Sequence, residues 1–310
     1  MLIKWEELEY PSPIEDEAFK SISIISPFRL GGTIFDHTIK ITDNGLELVP
    51  HTEEEVILSA FYSYLKTTRQ LPHDNRLVLN HFHASRKEKW GFELTERVDI
   101  LTTAIRILTA KKCFHEGSFQ YNDTAQPSIF YKPFIYKDLR MGILDKDIST
   151  IDTESDFETL KLVYGKLISL NIYKYGDFSK LLNAIRFYNR FHSEKWFLQR
   201  IVNIFVSLES LFTASKPESE VTFKTAIRTA YFLYPNDPTE RNKVFKLLKI
   251  SYDIRSSFLH GSKVDESKFT EKLQKFKENP KYSLWFDLPD ELNQILSQVL
   301  LKICLSDDNF

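Results

Sequence analysis

Residues 194–212 read EKWFLQRIVNIFVSLESLF, and this stretch decides the fold. On a helix, Phe197, Ile201, Phe205, Leu208 and Phe212 form one apolar stripe with Val202 and Val206 beside it, so apolar side chains cover most of the circumference. A helix of that kind cannot lie on a surface and belongs at the centre of a bundle. Its neighbours in sequence carry the helical period as well, with candidates at 156–170, 178–191, 220–234, 240–260, 265–277 and 290–305. The second half of the chain is therefore expected to be an all-α bundle.

Upstream the pattern changes. The polar, acidic stretch DKDISTIDTESD (145–156) interrupts the periodicity and places a boundary between a segment 1–150 and a segment 151–310. Before it, SISIISPF (21–28), TIFDHTIKI (33–41) and LVLNHFHA (77–84) read as strands, and the DNG at 43–45 reads as a hairpin turn. Helices are expected over 53–65 and 94–110. The expected fold class is an α+β module followed by an all-α helical bundle.

Composition narrows the function. The chain has 310 residues, 42% of them hydrophobic, enough for a sizeable core. Its 41 Lys and Arg against 43 Asp and Glu give a net charge of −2, so nothing draws the whole molecule to nucleic acid or an anionic membrane, and a nucleic-acid site must be a local patch. The two cysteines, Cys113 and Cys304, suggest neither a disulfide framework nor a thiolate metal site, which fits a reducing cytoplasm. The start, MLIKWEELEY, lacks a basic segment leading into an apolar one, and no apolar run reaches membrane-spanning length, so neither secretion nor a membrane partner is expected. Gly-rich phosphate loops are missing, and no cofactor is expected.

The segment SYDIRSSFLHGS (251–262) places Arg255 and His260 five residues apart in an apolar helical run. On that helix Val244, Leu247, Ile254 and Phe258 form the buried stripe, with Ser251 among them. Arg255 and His260 lie roughly 140° apart around the axis and so do not stack on each other. They converge only if the helix ends at Gly261, a C-cap residue, or if two copies meet across a two-fold axis. A histidine that titrates near neutrality can move the 2′-OH or 5′-oxygen proton of RNA, and a guanidinium can hold the phosphate oxygens, with Tyr252, Asp253, Ser256 and Ser257 in support. Spacing alone favours the plainer reading, in which Arg255 is a solvated charge paired with Asp253 or Glu266 and His260 caps the helix carbonyls.

The run YDIRSSFLHG resembles the R-x4-6-H motif of HEPN domains, and its setting is similar to the Apea-like branch of that superfamily. SLESLF (207–212), FKTAIRTAYFL (223–233) and the motif itself follow in the order of that branch, over about residues 181–305. The position after the arginine is Ser256, where the family often has Asn, Asp or His. The resemblance implies a helical domain that dimerises around a shared cleft and cuts RNA without a metal, with Arg255 and His260 as the catalytic pair. It also implies a toxin or abortive-infection role against phage, with an antitoxin or a phage component as partner. Inactive members act as modules that bind RNA, nucleotide or protein.

Glu209 sits on the Val202 and Val206 shoulder of the central helix, and a partly buried carboxylate there needs a partner, for which Arg228 is the candidate, as a buried ion pair holding the motif helix in place or, as the alternative, in a direct catalytic role. Lys224 and Arg228 share a helix face with Glu220, either as a salt-bridged surface or as added cationic surface for phosphates. His81 and His83 alternate on a strand, facing one side, without a third ligand at a recognisable spacing. His73 and His115 stand alone, and Cys113 lacks the context of a nucleophile.

Overall fold

The computed structural model describes residues 20–26, 28–30, 39–40, 46–49, 78–83, 92–111, 113–121, 128–131, 149–151, 153–170, 179–213 and 221–306. Among these residues there are eight helices: α1 (Phe92–Thr109), α2 (Glu154–Leu170), α3 (Lys180–Ser193), α4 (Phe197–Phe212), α5 (Val221–Leu233), α6 (Pro238–Leu259), α7 (Glu266–Lys277) and α8 (Asp287–Leu305). None is long and apolar enough to cross a membrane.

The helical bundle is organised around α4, which packs against α3, α5, α6 and α8. Its burial runs almost round the helix: Ile201, Ile204, Phe205, Leu208 and Leu211 are in the core, and so are the polar Asn203 and Ser207. The Ser207 hydroxyl is satisfied by donating to the Ala184 carbonyl of α3 at 2.8 Å. Between α3 and α8, the buried Tyr188 hydroxyl lies 2.8 Å from Ser297 Oγ. Helix α1 shares this core through Leu101, Ala104, Ile105 and Ile107. It packs against α2 and α8, and Asn293 Nδ2 of α8 donates to the Ala110 carbonyl just past its end at 2.7 Å.

Local chemistry sets the helix ends. Ser179 Oγ accepts the Leu182 N–H, and Asp265 accepts the Lys268 N–H, each satisfying a donor that the first turn cannot pair. Helix α6 begins two residues earlier than its apolar period suggests. Asp237 caps the Thr239 and Glu240 N–H groups, and Pro238 takes the first position, where its missing N–H costs nothing. The expected apolar stripe of α6 is buried at Val244, Leu247, Ser251 and Ile254, but Phe258 is 36% exposed, in a last turn where Leu259 and His260 are exposed as well.

In the first half the described backbone includes strands β1 (Lys20–Ser26), β2 (Phe28–Leu30), β3 (Ile39–Lys40), β4 (Leu46–Val49), β5 (Val78–His83), β6 (Phe114–Tyr121), β7 (Ser128–Tyr131) and β8 (Ser149–Ile151). Six of them form an antiparallel sheet in the order β3-β4-β5-β1-β6-β7, and β2 pairs with β8 in parallel. The expected DNG turn, the helix over 53–65 and most of the strand over 33–41 lie outside the described residues.

Candidate functional site

Arg255 projects from the middle of the last third of α6 toward α4 and meets Glu209 there. Its Nη1 donates to Glu209 Oε1 at 2.9 Å and its Nη2 to Oε2 at 3.0 Å, a parallel two-bond fork. The side chains are 13% and 19% exposed. Aromatic rings complete the setting: the Arg255 Cζ lies 5.9 Å from the Phe205 ring centre and 5.3 Å from that of Tyr252. The two rings pack edge to face at 5.7 Å. Phe205 and Glu209 stand four residues apart on α4, so one helix face supplies both the ring and the carboxylate.

Burial raises the Glu209 carboxyl above its ordinary pKa, and the Arg255 guanidinium pulls against that rise. Glu209 thus has a partner as its position demands, but the partner is Arg255 rather than Arg228. Arg228 instead donates from Nη1 to the Phe212 carbonyl at 2.5 Å, closing the C-terminal end of α4. Lys224 lies half-buried one turn earlier on α5, and Glu220 is outside the described residues. The alternative pairing of Arg255 with Asp253 does not form, since Asp253 binds Lys272 at 3.2 Å.

The guanidinium has two edges able to make paired hydrogen bonds. Glu209 takes the one between Nη1 and Nη2, and the edge between Nε and Nη2 is left. Nε is buried with no acceptor among the described residues.

His260 is exposed and stands at the end of α6. The helix closes with a Schellman turn: Gly261 N–H donates to the Phe258 carbonyl at 3.1 Å and Ser262 N–H to the Ser257 carbonyl at 2.9 Å. Gly261 has φ +67°, in the left-handed region that glycine enters without penalty. The main chain therefore fixes where the His260 ring is carried. Since α6 is continuous to Leu259, the separation of roughly 140° between Arg255 and His260 persists within one chain. Ser257 Oγ donates to the Asp253 carbonyl at 2.9 Å, and the Ser256 carbonyl accepts the His260 N–H at 3.0 Å.

The structure thus gathers Glu209, Tyr252 and Arg255 with Phe205, and places Asp253, Ser257 and His260 along a different edge of α6. Phe205 was missed as a site residue, although its spacing from Glu209 signals it. His81 and His83 lie on β5, in register with Ile22 and Lys20 of β1. Among the described residues no three His, Cys, Asp or Glu gather as a metal site would need. Cys113 is buried, and burial pushes the Cys304 thiol up to about 12, far from a reactive thiolate. No protein-family model, curated protein or solved structure matches the chain.

Proposed function

We propose that this chain is a metal-independent endoribonuclease of the HEPN type, cutting RNA by attack of the ribose 2′-OH on the adjacent phosphate. The observation that supports it most is that α6 carries both Arg255, oriented by its two-bond fork to Glu209, and the exposed His260 at its C-terminal end. In this reading the 2′-oxygen bonds to phosphorus, the bond from phosphorus to the 5′-oxygen breaks, and a 2′,3′-cyclic phosphate remains. The His260 ring takes the 2′-OH proton, or supplies one to the departing 5′-oxygen. Arg255 hydrogen-bonds the phosphate oxygens as charge builds on them. Glu209 is a positioning residue, setting the plane of the guanidinium, and Tyr252 walls it on one side.

One chain carries one such histidine, and its edge differs from that of Arg255. A homodimer through the helical bundle brings a second pair and completes a base and an acid for the two proton transfers. The proposal extends to a toxin or abortive-infection effector in defence against phage, cytoplasmic and held in check by an antitoxin or triggered by a phage component. The second reading is a catalytically silent HEPN module that binds RNA, nucleotide or a protein partner. The burial of Arg255 Nε in the single chain favours it.

The test is incubation of the purified protein with end-labelled RNA in EDTA, beside His260→Ala. His260 is exposed, so its removal leaves the fold intact. The wild type should leave 2′,3′-cyclic phosphate ends, and the variant should be slower by roughly 10²-fold or more, the usual contribution of a general acid or base. Equal cleavage by both proteins, or cleavage only with added metal, refutes the mechanism.

A further inference from the structure

A groove of about 360 Å³ runs between α6 and α7, lined by Lys246, Lys249, Ile250, Lys272, Lys275 and Phe276. The four lysines are exposed, Ile250 is buried and Phe276 is half-buried, so the groove has a cationic rim and an apolar floor. The only carboxylate on the facing stripe of α6 among the described residues is Asp253, and Lys272 neutralises it. Lys246, Lys249 and Lys275 form no ion pair with any described residue. Each helix places two of these lysines three residues apart, a like-charge spacing that works against stability. In a chain of net charge −2, such a concentration calls for an anionic ligand.

The groove also has a direction. At about 100° per residue, Lys246, Lys249, Asp253, Ser257 and His260 fall within a sector of roughly 80° on α6. From Lys246 to His260 the axis advances about 21 Å. Lys246, Lys249 and the exposed histidine therefore lie along one edge of α6, while Arg255 points the other way, to Glu209. A long, flexible polyanion with aromatic or apolar groups between its charges suits this surface better than a flat membrane, because the lysines flank a concave floor between two helices that carries the Phe276 ring. Single-stranded nucleic acid has that chemistry, with phosphates for the ammonium groups and a base to set against the ring.

We propose that the groove between α6 and α7 is the track for single-stranded RNA, which Lys246, Lys249 and Lys275 hold by its phosphates and lead along α6 to His260. The choice of RNA rests on the nuclease reading of His260, whereas the polyanion site stands on the lysines themselves.

The test uses the full chain carrying His260→Ala, so that bound RNA is not consumed, and fluorescence anisotropy of a labelled unpaired RNA across a salt series. The same protein with Lys246→Ala, Lys249→Ala and Lys275→Ala is compared, alongside a control losing Lys161, Lys180 and Lys243. Each phosphate contact on a single strand contributes about 0.7 to the slope of log K against log salt, so the groove variant should lose about 2 from that slope. At 0.1 M salt this corresponds to binding weaker on the order of 10²-fold, with the control near the parent. Unchanged binding in the groove variant, an equal loss in the control, or poly-glutamate bound as tightly as RNA overturns the proposal. Wild-type protein that binds through these lysines yet never cleaves removes the nuclease reading and leaves the groove. Cleavage that is indifferent to the lysines does the reverse.

Discussion

Breaking the Arg255 and Glu209 pair should destabilise the bundle from either side. Removing one partner of a buried ion pair costs about 3–5 kcal/mol, since the remaining charge has lost its compensation. Here the side chains keep 13% and 19% exposure, so water softens the loss and the lower end, about 3 kcal/mol, applies to Glu209→Ala and to Arg255→Ala alike. The double variant leaves no orphan charge and should cost about 3–4 kcal/mol rather than 6, a coupling of about 2–3 kcal/mol. Urea unfolding followed by helical circular dichroism measures all three. A pH series adds a signed check. Burial holds the Glu209 carboxyl above its ordinary 4.5 against the pull of Arg255. An acid with a raised folded pKa stabilises the fold below the unfolded value and loses that contribution as pH rises through the folded value. Deleting Arg255 removes the opposing pull and carries the window upward, so the deficit of Arg255→Ala should grow from mildly acidic to neutral pH. Single variants that each cost under about 1 kcal/mol, with an additive double and a deficit flat in pH, would refute the reasoning.

Gly261→Ala should cost only about 1 kcal/mol, because a Cβ at φ +67° meets no heavy atom within 4 Å and the penalty is that of the left-handed backbone alone. Thermal unfolding checks it, and a loss above about 3 kcal/mol would show a clash instead. Tyr164, pushed up to about 12 by burial with Arg97 pulling the other way, should remain un-ionised in the folded protein as pH passes 10. Its contribution to stability is present below the ordinary value and lost as pH climbs through about 12. Tyrosinate absorbance of wild type against Tyr164→Phe reads this directly, and a difference signal that titrates near 10 refutes it.

How much was legible depended on range in sequence. The apolar circumference of 197–212 named the central helix, because periodicity is a local property that survives folding. Gly261 announced the end of α6 through its cap chemistry, which is equally local. The start of that helix was missed by two residues, since Asp237 and Pro238 belong to cap chemistry and not to apolar spacing. Glu209 could be read as needing a partner, yet choosing Arg255 over Arg228 required the crossing of α4 and α6, and those residues are 46 positions apart. The lysine groove was hidden for a related reason. On either helix alone, Lys246 and Lys249 or Lys272 and Lys275 look like ordinary solvated charges, and only the pairing of α6 with α7 makes a rim of them.

The bond from Asn293 to the Ala110 carbonyl spans 183 positions of chain. A ribosome adding about 5–20 residues per second takes roughly 10–40 s to cover that interval. Throughout that time Leu101, Ala104, Ile105 and Ile107 have been made but α8, which α1 packs against, has not. Even though most of the bundle is built from near neighbours in sequence, its last seam is a late event in the life of the nascent chain. Until α8 arrives, α1 has α2 as a neighbour but lacks the seam that Asn293 closes.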